Sequence, residues 1–222
     1  MSDVDIDVSS QLSDTHRQVA DGRVAGGDGR SVLLRRRYDA PVEDVWDACT
    51  SQDRIGRWFL PVTGDLRLGG TFQLEGNAGG EILRCERPRL LKVTWVMGDG
   101  PASEVELRLS PASDDSTVLE LEHTAVPDPE LWGRFGPGAV GVGWDGALLG
   151  LGLHLAGRVR ADAMAWMISP EGRDFMRRSS EAWGGAFEAY GATPEEAASA
   201  VANTTAFYAP PIPDGSHSGN GG

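Results

Sequence analysis

The side chains of this 222-residue chain from which acid–base, nucleophilic or metal chemistry could be built are few, and their spacing narrows what that chemistry can be. His16, His123, His154 and His217 are scattered, with none at the spacing of a metal-ligand pair, so neither a metal site nor a bound cofactor is expected. His123 carries the sharpest hypothesis. Strand alternation puts it on the same side as Leu119 and Leu121 and opposite Val118, Glu120 and Glu122, facing a covered interior. A neutral imidazole there, with an ordinary pKa of about 6.5, could orient a ligand or move a proton. The alternative is a strand-end histidine bonded to backbone or to the Asp128 region. His154 lies on a helical stretch one turn beyond Leu151; it could approach the same interior from another wall or pack beneath the segment that follows, and a pair with His123 is not fixed by sequence. Gly138 to Gly143 is glycine-rich but follows no strand, so a helix contact face is expected rather than a phosphate loop. Asp145 is expected to meet Arg84 or Arg108, or to be solvated. Arg35-Arg36-Arg37 should pair with carboxylates, and Cys49 and Cys85 read as small buried apolar residues.

The elements that must position these side chains are legible from pattern. Ser31 to Tyr38 is expected as a first strand, and Pro41 suits a first helical turn before Val42, Val45, Trp46 and Cys49 at helical spacing. A short helix over Gln52 to Phe59 follows, with Ile55, Trp58 and Phe59 on its apolar side. Strands are then predicted over Val62 to Leu68, Thr71 to Glu75, Glu81 to Glu86, Leu90 to Met97, Glu104 to Ser110 and Thr117 to Thr124, divided by glycine turns and an Arg87-Pro88-Arg89 corner. Val105, Leu107 and Leu109 alternate with Glu104, Glu106 and Arg108, the mark of an antiparallel sheet with one wet and one covered face. An apolar helix over Ala139 to Ala156, carrying Val140, Trp144, Ala147, Leu148, Leu151 and Leu155, is the natural cover. Residues 158 to 208 read as a helical appendage. Ser169-Pro170-Glu171 opens a helix striped with Phe175, Met176, Trp183, Phe187 and Tyr190; Gly191 ends it, and a Thr193-to-Glu196 capping box opens another. That stripe must bury against its own sheet or in a homodimer through the appendage.

A formal charge of −13 excludes a counterion-displacing basic face, so nucleic acid and anionic membranes are not expected partners. No apolar run reaches the roughly 18 residues of a membrane span. Met1 to Arg30 is polar and aspartate-rich, without an apolar leader, and a reducing cytoplasm is expected.

The order of strand, two short helices, six strands and a long closing helix, with the residues at its joints, resembles the START-like or SRPBCC superfamily, in the branch similar to the activator of heat-shock-protein-90 ATPase. The matching residues are Arg37-Tyr38-Asp39-Ala40-Pro41, Val45-Trp46, Ile55, Trp58-Phe59, Gly64 to Gly70 and Gly80-Glu81-Ile82-Leu83. They continue through Glu86, Pro88, Leu90, Thr94-Trp95, Leu119 to Thr124 and Gly143-Trp144-Asp145. The resemblance implies an α+β helix-grip fold, a curved antiparallel sheet of about seven strands wrapped on a long helix around an apolar cavity. It divides the chain into a flexible acidic tail (1–30), the helix-grip domain (31–156), the appendage (157–209) and a flexible tail (210–222). It implies no shared catalytic set. The expected function is binding of a small hydrophobic or aromatic molecule by Trp58, Phe72, Leu74, Trp95, Leu107, Leu121, His123, Trp144, Leu148 and Leu151. A cyclase- or hydrolase-like enzyme using His123, and a protein-partner or chaperone-associated role, are the alternatives.

Overall fold

Alternation in the central strands becomes an antiparallel sheet whose apolar rows stand abreast. A computed structural model describes residues 8–158 and 163–210. In chain order the elements are α1 (Val8–Ser13), β1 (Thr15–Val24), β2 (Gly27–Tyr38), α2 (Val42–Thr50), α3 (Gln52–Trp58), β3 (Val62–Gly64), β4 (Thr71–Leu74), β5 (Gly79–Glu86), β6 (Leu90–Trp95), β7 (Ser103–Ser113), β8 (Ser116–Ala125), α4 (Pro129–Phe135), α5 (Gly138–Leu155), α6 (Ala163–Ile168), α7 (Pro170–Tyr190) and α8 (Pro194–Tyr208). Eight strands form the sheet in the order β1-β2-β8-β7-β6-β5-β4-β3. Leu34, Leu121, Leu107 and Leu91 form one row across its covered face, and Val32, His123, Val105 and Val93 form the next. This is the helix-grip architecture, with α5 lying across the covered face.

The helix α5 is apolar on nearly every side, the pattern of a helix covered all round. Trp144, Ala147, Leu148 and Leu151 face the space against the sheet, while Gly141 and Asp145 face α7. A Cβ on Gly141 would stand 2.1 Å from the Trp183 ring, so only glycine lets the two helices approach this closely. Gly138 meets Thr204 of α8 in the same way. These are the contact-face glycines expected from the sequence. Val140, assigned from spacing to the covered face, is instead exposed.

Three expectations are corrected. Residues 8–30 do not form a loose tail: β1 pairs along its whole length with β2, from Thr15↔Arg36 to Val24↔Gly27, and adds an eighth strand. With only Val19 and Val24 as large apolar residues, β1 cannot order itself; it is held by partners distant in sequence. Residues 65–68, read as strand, lie outside it: β3 stops at Gly64, whose φ of 126° lies in the left-handed region. The helices after residue 157 are not a separate body either. Trp166, Phe175, Met176 and Trp183 belong to the same apolar core as Leu34 and Leu119, so the α7 stripe is buried within its own chain. Thr193 and Glu196 do form the expected capping box. Residues 211–222 of the expected C-terminal tail, and residues 1–7 of the other, lie outside the described residues.

What joins hairpin, α5 and α7 is Asp145. It is buried, and its carboxylate accepts from Arg17 Nη2 at 2.9 Å, Arg17 Nε at 3.0 Å, Ser179 Oγ at 2.5 Å and Trp183 Nε1 at 3.0 Å. Arg84 and Arg108, the expected partners, pair with Glu86 and with Glu106 and Glu122 instead. Asp145→Ala leaves the buried Arg17 guanidinium without a counter-charge and is expected to cost about 3–5 kcal/mol. Urea unfolding of the variant against the parent measures it; a loss below about 1 kcal/mol would refute the joint.

Candidate functional site

Sheet and α5 do not meet in a solid interior. Two adjoining spaces lie between them, one about 160 Å³ and the other about 530 Å³. The smaller, inner hollow is lined by Trp58, Phe72, Leu74, Trp95, Leu107, Leu121, Trp144, Leu148 and Leu151, nine of the ten residues expected from sequence. His123, the tenth, lies in the larger, outer cleft, beside Val32, Ala125 and Trp132. The two spaces share Phe59, Trp95 and Trp144, which form the wall dividing them. Ring centroids are 6.2 Å apart for Phe59–Trp144 and 5.1 Å for Trp95–Trp144, within the range of favourable aromatic contact. Phe59 was left out of the expected lining, although its neighbour Trp58 was included; it ends the helix α3 and turns its ring into the wall.

Hydrogen bonds hold this wall in place. The Trp144 indole N–H donates to His123 Nδ1 at 3.1 Å. An indole nitrogen can only donate, so Nδ1 accepts and the neutral ring carries its proton on Nε2. That proton goes to Ser103 Oγ at 2.8 Å, and Ser103 donates in turn to the Trp95 carbonyl at 2.8 Å. His123 is therefore neither a strand-end histidine bonded to backbone nor one bonded near Asp128; it links the two tryptophans of the wall. Burial holds its pKa down at about 4. Trp58 spends its N–H on the Ala48 carbonyl, so it offers apolar surface alone.

Other candidates are placed elsewhere. His154 accepts from Arg54 Nε at 3.3 Å, beside Asp44 and Asp47, and forms no pair with His123. Burial pushes the Cys49 thiol up to about 12, whereas Cys85, expected to be buried, is exposed on β5; both cysteines are free. A wider groove of about 780 Å³ beside β1 and α7 is lined by Arg17, Arg35, Arg36 and Arg37. Its guanidinium groups are engaged: Arg17 with Asp145, Arg35 with Glu120, Arg37 with Asp39, and Arg36 with the Gln11 amide and the Tyr38 ring. Arg36 is thus buried without the expected carboxylate. Among the described residues no cluster of metal-ligating side chains occurs, and no helix is long and apolar enough to cross a membrane.

A curved sheet gripping a long helix over divided apolar space defines a START-like, helix-grip protein. The chain belongs to the family described as activator of Hsp90 ATPase homolog 1-like protein, whose sequence profile matches residues 39–154. CalU16 from Micromonospora echinospora is 44% identical in its crystal structure, with a TM-score of 0.66 over 78% of this chain and 98% of that one. That share exceeds residues 39–154, so the likeness takes in elements outside the family's core. A Bordetella parapertussis protein encoded by BPP1335 is 30% identical, with a TM-score of 0.50 over 71% of this chain and 91% of its own. DynU16, a protein in the dynemicin biosynthetic locus, shares the fold at 21% identity and a TM-score of 0.52, over 58% of this chain and 48% of that one. No curated protein matches the chain in sequence.

The lowered His123 pKa makes stability depend on pH. Between the unfolded value of 6.5 and the folded value of about 4, the unfolded chain binds a proton that the folded chain refuses. Stability contributed by neutral His123 is complete above pH 6.5 and is lost as pH falls towards 4, by roughly 2–3 kcal/mol. Urea unfolding at pH 7.0 and pH 4.5 measures the slope. His123→Asn should flatten it relative to the parent, and an unchanged slope would refute the assignment.

Proposed function

We propose that this protein binds a small hydrophobic or aromatic molecule between its sheet and α5, entering by the outer cleft. The supporting observation is the pair of adjoining spaces with a shared aromatic wall whose polar atoms are mostly bonded to one another. What a ligand meets there is ring faces and aliphatic side chains. The outer cleft, at about 530 Å³, falls within the roughly 300–1,000 Å³ of small-molecule sites, whereas the inner hollow alone does not. The rim supports the same reading. Met97, Val126, Leu131 and Val140 line the cleft and are 54%, 40%, 56% and 38% exposed, a clustering of large apolar side chains at the surface that water disfavours and an apolar guest would cover.

An enzymatic role for His123 has less support. Both ring nitrogens are engaged, and no carboxylate bonds to either among the described residues. A dimer through the appendage loses its argument because the stripe that called for a partner is already buried. The two free thiols fit residence in a reducing cytoplasm.

Calorimetric titration with 2-naphthamide, a neutral two-ring probe, tests the reading, with saturable 1:1 binding expected. Trp144→Ala removes a ring from the wall and is expected to weaken binding by about 1–1.5 kcal/mol, roughly tenfold. Absence of binding by this probe and by a panel of neutral aromatics would remove the proposal.

A further inference from the structure

We infer that the molecule received by the outer cleft is an aromatic acid, an apolar ring system carrying one carboxylate that is met by Arg30. This rests on the binding reading above and names the chemical class of its ligand. Arg30 pairs with Ala125 and lies two residues before Val32, the partner of His123. The two-residue period of a strand puts Arg30, Val32, Ala125 and His123 on one face, and all four line the cleft. The sequence shows Arg30 only as the last residue of a polar stretch; its place on the covered face emerges once β2 is seen to start at Gly27.

The surroundings of Arg30 suit an anion that has yet to arrive. Its guanidinium lies over the Trp132 ring at 4.4 Å, and its other polar neighbour is the Tyr190 hydroxyl. No carboxylate reaches ion-pair distance of it among the described residues, in a chain where acidic residues outnumber basic ones by 33 to 20. Two carboxylates lie in its neighbourhood, and each bonds elsewhere. Asp128 also lines the cleft, but its Oδ1 accepts from the Glu130 and Leu131 N–H groups at 2.9 Å each, capping α4. Asp21, across the hairpin from Arg30, accepts from the Tyr190 hydroxyl at 2.5 Å. A guanidinium lying over an indole ring makes no ion pair with it, and its N–H groups offer the fork that matches a planar carboxylate in two parallel hydrogen bonds. Val32 and Trp132 beside it supply apolar surface that takes part of the guanidinium out of water, which strengthens a charge-assisted bond. The rest of the cleft floor, with Trp95 and Trp144, receives the ring system.

The test compares 2-naphthoate with 2-naphthamide, its neutral counterpart, by calorimetry on the full chain at pH 7.5, with the parent and with Arg30→Gln. The parent is expected to bind naphthoate about tenfold more tightly than naphthamide, the scale of one charge-assisted pair in a partly buried site. Arg30→Gln should bring the ratio to about one. Failure of both probes to bind the parent would strike the binding reading itself. Equal affinities in the parent, or a preference that survives in Arg30→Gln, would overturn the assignment to Arg30 while leaving the binding reading in place. Should Arg30→Gln lose the parent's near-ultraviolet circular dichroism, Arg30→Lys replaces it. Lysine keeps the charge without the fork, so a ratio between one and the parent's is expected, and an undiminished ratio would overturn the assignment.

Discussion

One buried carboxylate sets the geometry on which the rest of this molecule depends. Asp145 sits where water cannot reach it, and a charge in that position is tolerable only with its oxygens fully bonded. The donors come from an N-terminal strand and from a helix well beyond the family's core, so the demand of a single side chain recruits both flanks of the chain. The same demand fixes the rotation of α5 about its axis. Asp145 must point towards Arg17 and Trp183, so its neighbour Trp144 points the other way, into the space under the sheet. The close approach at Gly141 locks that rotation from the adjoining turn.

From that rotation follows the divided interior. Trp144 lands against Trp95 and Phe59 and donates to a neutral histidine nitrogen. The relay from Trp144 through His123 and Ser103 to the Trp95 carbonyl leaves none of these polar atoms seeking a partner in an apolar space. The histidine that attracts notice in the sequence therefore serves to place rings, and the arginine that does not is a positive charge lining the cleft.

How much of this was legible follows from the range of each interaction. The six-strand meander, the long helix and nine of the inner lining residues follow from period-two and helical patterns, since facing the covered side is a local property. The N-terminal hairpin was missed because β1 is polar on its own and is ordered by Arg17 bonding to a residue 128 positions away. Asp145 read as a surface carboxylate for the same reason: nothing near it in sequence announces Arg17, Ser179 or Trp183. Arg30 and Phe59 were within reach of a longer reading. Extending the first strand back to Gly27 carries its alternation through Val32 to Arg30, and the apolar side of α3 already held Phe59 beside Trp58.

The partition between the two spaces is made of side chains hanging from a scaffold that is braced elsewhere. Because the brace at Asp145 and the partition at Trp144 are adjacent in sequence yet face different sides of α5, one can change while the other stays. A smaller residue at 144 would merge the chambers and a different one would reshape the doorway, with the backbone undisturbed. The size of the enclosed space is thereby open to adjustment by single codon changes, a freedom that a cavity bounded by main chain would not possess.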